Sequence, residues 1–205
     1  MKRLGSGKKH LNSRHSSSNS QLSTLVIVQS ETSNLPAENM INIIDNFLDE
    51  DQYRELYNAM FSADFPWYYA NSVMPENLAT CKTFDNYQWG HSFYREYAFQ
   101  SQHAIILLPI IKKLDPAAIV RIKGLMLSRT EENVEHGMHE DNTFNTTNAL
   151  YYLNTNNGYT RFKDGEKVDS VANRMLIFPS GIDHTGATCT DQKVRCAINF
   201  NYYCK

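Results

Sequence analysis

Residues 174–203 read RMLIFPSGIDHTGATCTDQKVRCAINFNYY, and this stretch decides the fold class. Arg174 to Phe178 and Val194 to Tyr203 are rich in the aliphatic and aromatic residues that fill strands, and Ser180-Gly181 supplies a turn between them. In the second run Arg195, Ala197, Asn199 and Asn201 recur at alternate places, so a strand sets all four on one face. The same texture extends backwards through Lys167 to Val171, Tyr159 to Phe162, Thr146 to Leu153 and Ile119 to Leu127. Asn157-Gly158 and Asp164-Gly165 lie between such runs, where tight turns belong. No repeat of solenoid length is present.

Ahead of Ala118 the pattern is helical. Ile41, Ile43 and Ile44 form a short strand candidate, and Asp49 with Gln52 offers a capping box. Tyr53, Leu56, Tyr57 and Met60 then fall on one helical face, which predicts core packing. A second helix is predicted over His103 to Leu114, stopped by Asp115-Pro116. Residues 70–100 between them are polar, aromatic and irregular; Trp67, which ends the first helix, and Trp89 and Phe93 read as core or groove residues. Helices first and short strands after predict an α+β chain, a jelly roll with N-terminal helices packed on it. Residues 1–38 are Ser-, Asn- and Lys-rich and predict a disordered basic tail with a short ordered piece at Leu25 to Val28; the folded domain spans 39–205.

Bulk properties argue against several classes, nucleic acid among them without excluding it. A formal net charge of -2 gives no global basic field for nucleic acid or an anionic membrane. The longest apolar stretch, Ala104 to Ile111, is far short of the ~18 to 20 residues of a membrane span. Lys2 and Arg3 are followed by no apolar segment of a secretory signal. Cys81, Cys189, Cys196 and Cys204 lack metal or redox spacing and read as free thiols of a reducing, cytoplasmic setting.

The chemistry sits in His136-Gly137-Met138-His139-Glu140-Asp141. In extended chain His139 and Asp141 point to one side and Glu140 to the other. Two neighbours cannot close a metal site, and His184, after the Pro179-Ser180-Gly181 turn, is the best third ligand. Two imidazoles and one carboxylate with an open opposite face suit non-haem Fe(II), leaving positions for a keto acid and O2. Arg195, on the strand after His184, suits the far carboxylate of a dicarboxylate better than Lys would, and Ala197 beside it leaves room. His136 points away from His139 and reads as a loop residue, His91 and His103 as structural, and Glu131, Glu132 and Glu135 as a solvated loop.

From Ile41 to the C-terminus the chain resembles the 2-oxoglutarate/Fe(II) oxygenase superfamily, above all its prolyl 4-hydroxylase-like branch. The matching pieces are IIDNFLDED, the HED of His139 to Asp141, ALYYLN, NGYTRF, FPSGIDHTGA around His184 and VRCAINFNY around Arg195. The C-terminal half is also similar to small oxygenases of marine phages. The resemblance implies a double-stranded β-helix, hydroxylation of a substrate C–H bond with decarboxylation of 2-oxoglutarate to succinate, and ascorbate to keep the iron reduced. It implies a protein or peptide side chain as substrate; a nucleobase or small metabolite, or a non-redox cupin-like metal-binding domain, are the alternatives.

The chain departs from that branch at two contacts. Thr130, with Arg129 beside it, stands where the branch has a keto-acid tyrosine, and Arg195 stands where prolyl hydroxylases have lysine. Tyr152 or Asn199 are the candidates for the missing hydrogen bond.

Overall fold

A computed structural model describes residues 41–141 and 145–205. The basic segment 1–38, with Leu25 to Val28 in it, lies outside the described residues. In chain order the elements are β1 (Asn42–Ile44), α1 (Glu50–Met60), β2 (Tyr68–Ala70), β3 (Gln88–Arg95), β4 (Ala98–Phe99), α2 (Leu108–Leu114) and β5 (Ala118–Ser128). There follow β6 (Thr147–Tyr152), β7 (Tyr159–Phe162), β8 (Lys167–Asp169), β9 (Arg174–Pro179), β10 (His184–Gly186) and β11 (Val194–Tyr203).

The Asp49 carboxylate caps α1 by accepting the Gln52 N–H at 2.9 Å. Leu56 and Met60 are buried beneath that helix, and the Tyr53 hydroxyl donates to the Leu153 carbonyl at 3.1 Å. The second predicted helix is split. A 3-10 turn, Gln102–Leu107, precedes α2, because Pro109 lacks an N–H and belongs in a first helical turn. The segment expected to be irregular holds β2, β3 and β4. Its long strand β3 has no clean alternation of apolar and polar residues, since Gly90 and His91 interrupt it.

Eight strands form the main antiparallel sheet, in the order β1-β9-β6-β11-β5-β3-β2 with β4 paired to β3; β10-β7-β8 form a second, three-stranded sheet. The period of two divides the main sheet cleanly. Ala149, Tyr151, Met175, Ile177, Cys196, Ile198, Phe200 and Tyr202 face the helices, packed with Leu56, Met60, Leu107 and Ile110. Leu150, Tyr152, Leu176, Phe178 and Ala197 face the other way and meet Phe162 and Val168 of the second sheet. Arg195, Asn199 and Asn201 alternate with the helix-facing residues of β11, so their side chains enter the space between the sheets.

Two of the three expected turns do something else. Asp164-Gly165 does close the β7–β8 hairpin, with Gly165 at φ +98°. Asn157-Gly158 closes no hairpin, because β6 pairs with β9 and β11 rather than β7. Ser180-Gly181 carries the chain from the main sheet to the second one.

Asn173, at φ +60° in the left-handed region, fastens the link between β1 and α1 to the sheet. Its amide accepts the Leu48 N–H at 2.8 Å and the Tyr151 hydroxyl at 2.8 Å, and donates to the Leu48 carbonyl at 2.9 Å. Asn173→Ala leaves three buried polar groups unmatched and strains the backbone. Chemical denaturation should show a loss of about 3 kcal/mol, which follows from the cost of unsatisfied buried groups.

Candidate metal centre

His139 and His184 face each other in an isolated antiparallel bridge. The His139 N–H donates to the His184 carbonyl at 3.0 Å, and the His184 N–H returns to the His139 carbonyl at 3.0 Å. Directly opposed residues send their side chains to the same face, and the two imidazole centroids lie 4.7 Å apart. The Asp141 N–H bonds the Ser180 carbonyl at 3.2 Å, a separate contact outside the register of that bridge. One donor atom each from His139, Asp141 and His184 gathers within 4.8 Å, with His139 Nε2 to Asp141 Oδ1 at 3.8 Å.

The donor set fits a divalent cation. His139 Nδ1 lies 3.1 Å from the Gly137 carbonyl, and His184 Nδ1 lies 2.9 Å from the Ile182 carbonyl. A carbonyl oxygen only accepts, so each Nδ1 carries the hydrogen and each Nε2 lone pair is free for metal. Burial pushes the His184 ring below the usual imidazole range, against the pull of Asp141. Burial pushes the Asp141 carboxyl up, but the Arg121 charge, the His184 ring and the Asn199 amide outweigh it, and it is held below the usual carboxylate range. Asn199 Nδ2 donates to Asp141 Oδ2 at 2.7 Å, while Arg121 Nη2 and Asn201 Nδ2 approach the two carboxylate oxygens at 3.4 Å each.

Arg195 lies deeper between the sheets and is only 2% exposed. Nε donates to Ser170 Oγ at 2.7 Å and Nη2 to Thr160 Oγ1 at 3.1 Å, and the guanidinium sits 5.4 Å from the Tyr152 ring centroid. The Tyr152 hydroxyl donates to the same Thr160 oxygen at 2.9 Å. Among the described residues no carboxylate pairs with Arg195. A Cβ on Gly158 would stand 2.6 Å from Arg195 Cδ, and one on Gly186 would stand 3.3 Å from Nη1. Gly186 is two residues from His184 on β10, so the guanidinium head lies toward the strand face that carries the His184 ring.

The six candidate residues thus fall into two groups. Tyr152 stands against Arg195, whereas Asn199 stands against Asp141, away from the guanidinium. Arg121, Thr160 and Ser170 are not singled out by the sequence, and Asn201 is placed on the right face there without a role. Arg121 was findable in principle, because it lies opposite Asn201 in the β5–β11 register.

Glu135 is more than the solvated loop residue expected: it accepts from the Tyr159 hydroxyl at 2.9 Å and Arg161 Nε at 2.8 Å, fastening its segment to β7. His136 is buried, with Nε2 3.2 Å from the Asp85 carbonyl. His91 and His103 pack in an aromatic cluster with Phe65, and Phe93 joins the core. Thr130 pairs with the Thr188 hydroxyl.

No protein-family model and no curated protein matches the chain. Solved structures do. A Pseudomonas putida prolyl-4-hydroxylase aligns at TM-score 0.52 and 14% identity, over 82% of this chain and 94% of that one. A Trichoplax adhaerens prolyl hydroxylase in complex with a hypoxia-inducible-factor peptide fragment aligns at 0.56 and 13%, over 80% and 84%. A non-haem α-ketoglutarate-dependent epimerase from nogalamycin biosynthesis aligns at 0.57 and 11%, over 81% and 79%. Together with the two-sheet architecture, these likenesses identify the fold as the double-stranded β-helix.

The closeness of Gly158 to the Arg195 stem can be tested directly. Gly158→Ala should cost roughly 1–3 kcal/mol by overpacking. Gly181→Ala, where an added Cβ meets nothing within 4 Å, should change the melting temperature little. Equal melting temperatures for the two variants would contradict the packing.

Proposed function

We propose that the chain is a 2-oxoglutarate- and Fe(II)-dependent dioxygenase that hydroxylates a substrate C–H bond, with His139, Asp141 and His184 as metal ligands. The observation that carries this is Arg195. A fully buried guanidinium with hydroxyls but, among the described residues, no carboxylate around it is a costly arrangement unless an anion completes it. Its position beside a two-His, one-Asp cluster matches a keto acid that spans the gap, with its far carboxylate on Arg195. A cupin-like domain that only binds metal has no use for that cation.

The chain's own residues do the positioning. The Gly137 and Ile182 carbonyls fix the two imidazoles, and Asn199 holds the Asp141 carboxylate in place. Ser170 and Thr160 hold the guanidinium, and the Tyr152 ring covers it from water. Thr160, already bonded to both Tyr152 and Arg195, is placed to serve the same carboxylate. When bound, Fe(II) with 2-oxoglutarate supplies the activation of O2 and the oxidative decarboxylation to succinate.

The substrate is a protein or peptide side chain or a small molecule. The peptide held by one of the similar hydroxylases supports the first of these. Ascorbate as reductant and a cytoplasmic setting complete the proposal, in keeping with four free thiols. Among the described residues no helix is long and apolar enough to cross a membrane.

The test is anaerobic. Fe(II)-loaded protein given 2-oxoglutarate should develop a metal-to-ligand charge-transfer band. Asp141→Ala should abolish it through loss of metal. Arg195→Met should weaken 2-oxoglutarate binding by about 100-fold, as expected for an ion pair that loses one buried partner. Undiminished 2-oxoglutarate affinity in Arg195→Met would sink the assignment.

A further inference from the structure

One face of the main sheet holds two cations that neither the metal nor the keto acid uses. Arg121 and Lys123 occupy alternate places on β5, so both side chains leave on the same face. In register they stand opposite Asn201 and Asn199 of β11, the face that holds Asp141. Arg121 is partly engaged, with Nε on Asn201 Oδ1 at 2.9 Å and Nη2 at the long distance of 3.4 Å from Asp141. Lys123 makes no ion pair among the described residues. Its stem crosses Gly90 of β3, where a Cβ would press on Lys123 Cε at 3.2 Å. Burial and the neighbouring Arg121 charge both push the Lys123 ammonium below its usual range.

Two amide atoms nearby are also unmatched. Among the described residues, Asn199 Oδ1 and Asn148 Nδ2 are buried without a partner, in residues 8% and 0% exposed. Asn148 stands opposite Asn201 across β6 and β11. Buried polar atoms without partners are destabilising, and a cluster of them beside a half-buried ammonium marks a surface shaped for something else. The charge balance says what. Asp141 partly offsets a divalent cation, and the two carboxylates of the keto acid go to the metal and Arg195. Arg121 and Lys123 stand beside one another, partly buried, with Asp141 as the carboxylate acting on both among the described residues.

We propose that this face is the substrate subsite and that it takes an oxyanion of the substrate, a carboxylate or a phosphate. Lys123 is the principal contact and Arg121 the flanking one, while Asn199 Oδ1 accepts an N–H or O–H of the same molecule. This rests on the oxygenase proposal, both for the word substrate and for the metal that offsets Asp141; the anion titration reads the two cations directly.

The experiment uses the full chain loaded with Zn(II) and 2-oxoglutarate, observed by amide NMR and titration calorimetry. The probes are benzoate, phenyl phosphate and neutral benzamide. At least one anion should bind about tenfold more tightly than benzamide and shift resonances of β5 and β11, as a charge-assisted contact requires; comparison of the two anions tells carboxylate from phosphate. Lys123→Met should remove that preference while the affinities for Zn(II) and 2-oxoglutarate stay within about twofold, and Lys123→Arg should restore it. Equal binding of all three probes, no binding at tens of millimolar, or an unchanged preference in Lys123→Met would each overturn the proposal. The titration is repeated without 2-oxoglutarate. Failure of the keto acid to bind would then strike the oxygenase proposal alone, and the anion result would stand on its own.

Discussion

Everything at the centre of this molecule hangs on a pair of backbone hydrogen bonds between His139 and His184. The bridge joins a segment that precedes β6 to the short strand β10, and it does so with the two residues whose imidazoles meet. Each imidazole is then turned by the carbonyl two places before it, Gly137 in one case and Ile182 in the other. The geometry is therefore set by peptide groups, which are stiffer than a side-chain network. A slip of one residue would bring His139 opposite Asp183 or Thr185 and send one ring to the far side. The Asp141 N–H on the Ser180 carbonyl guards against that slip.

Around this bridge the space between the sheets grades from dry to charged. Phe162, Val168, Leu176 and Phe178 pack at one part of it, while Arg195 is inserted among Ser170, Thr160 and Tyr152. Gly158 permits that insertion, since a side chain there would displace the arginine stem. The low local polarity strengthens any ionic contact made inside and penalises an empty one. Such a site gains by being filled, and fastening elements far away carry part of the cost of holding it open. Asn173 is one of these, tying the link ahead of α1 to the sheet.

Much of this was legible in the sequence, and the exceptions share a cause. The alternate spacing of His139 and Asp141, and of Arg195, Ala197, Asn199 and Asn201, is a local property that a strand turns into a shared face. The runs Tyr159–Phe162 and Val194–Tyr203 were bounded correctly because their composition changes sharply at both ends. What failed to show depended on distant partners. Asn157-Gly158 has the look of a hairpin turn, yet its glycine answers to Arg195. Asn173 bonds a residue 125 places away. β3 is a strand because β5 pairs with it, while its own sequence, with Gly90 and His91, carries little strand signal. Asn199 lay on the expected face, but its bond to Asp141 could not be foreseen without the depth of the fold.

The two-sidedness of β11 has an evolutionary meaning. Cys196, Ile198, Phe200 and Tyr202 bear the weight of the helices, and Arg195, Ala197, Asn199 and Asn201 look into the cleft. Selection can act on these two sets almost separately, because neighbours along the strand never share a surface. The same holds across to β5, where Arg121 and Lys123 alternate with the buried Ile122. A lineage could exchange its cleft-facing residues, and with them its choice of molecule, without renegotiating the core. The architecture is evolvable for the same reason that it is stable.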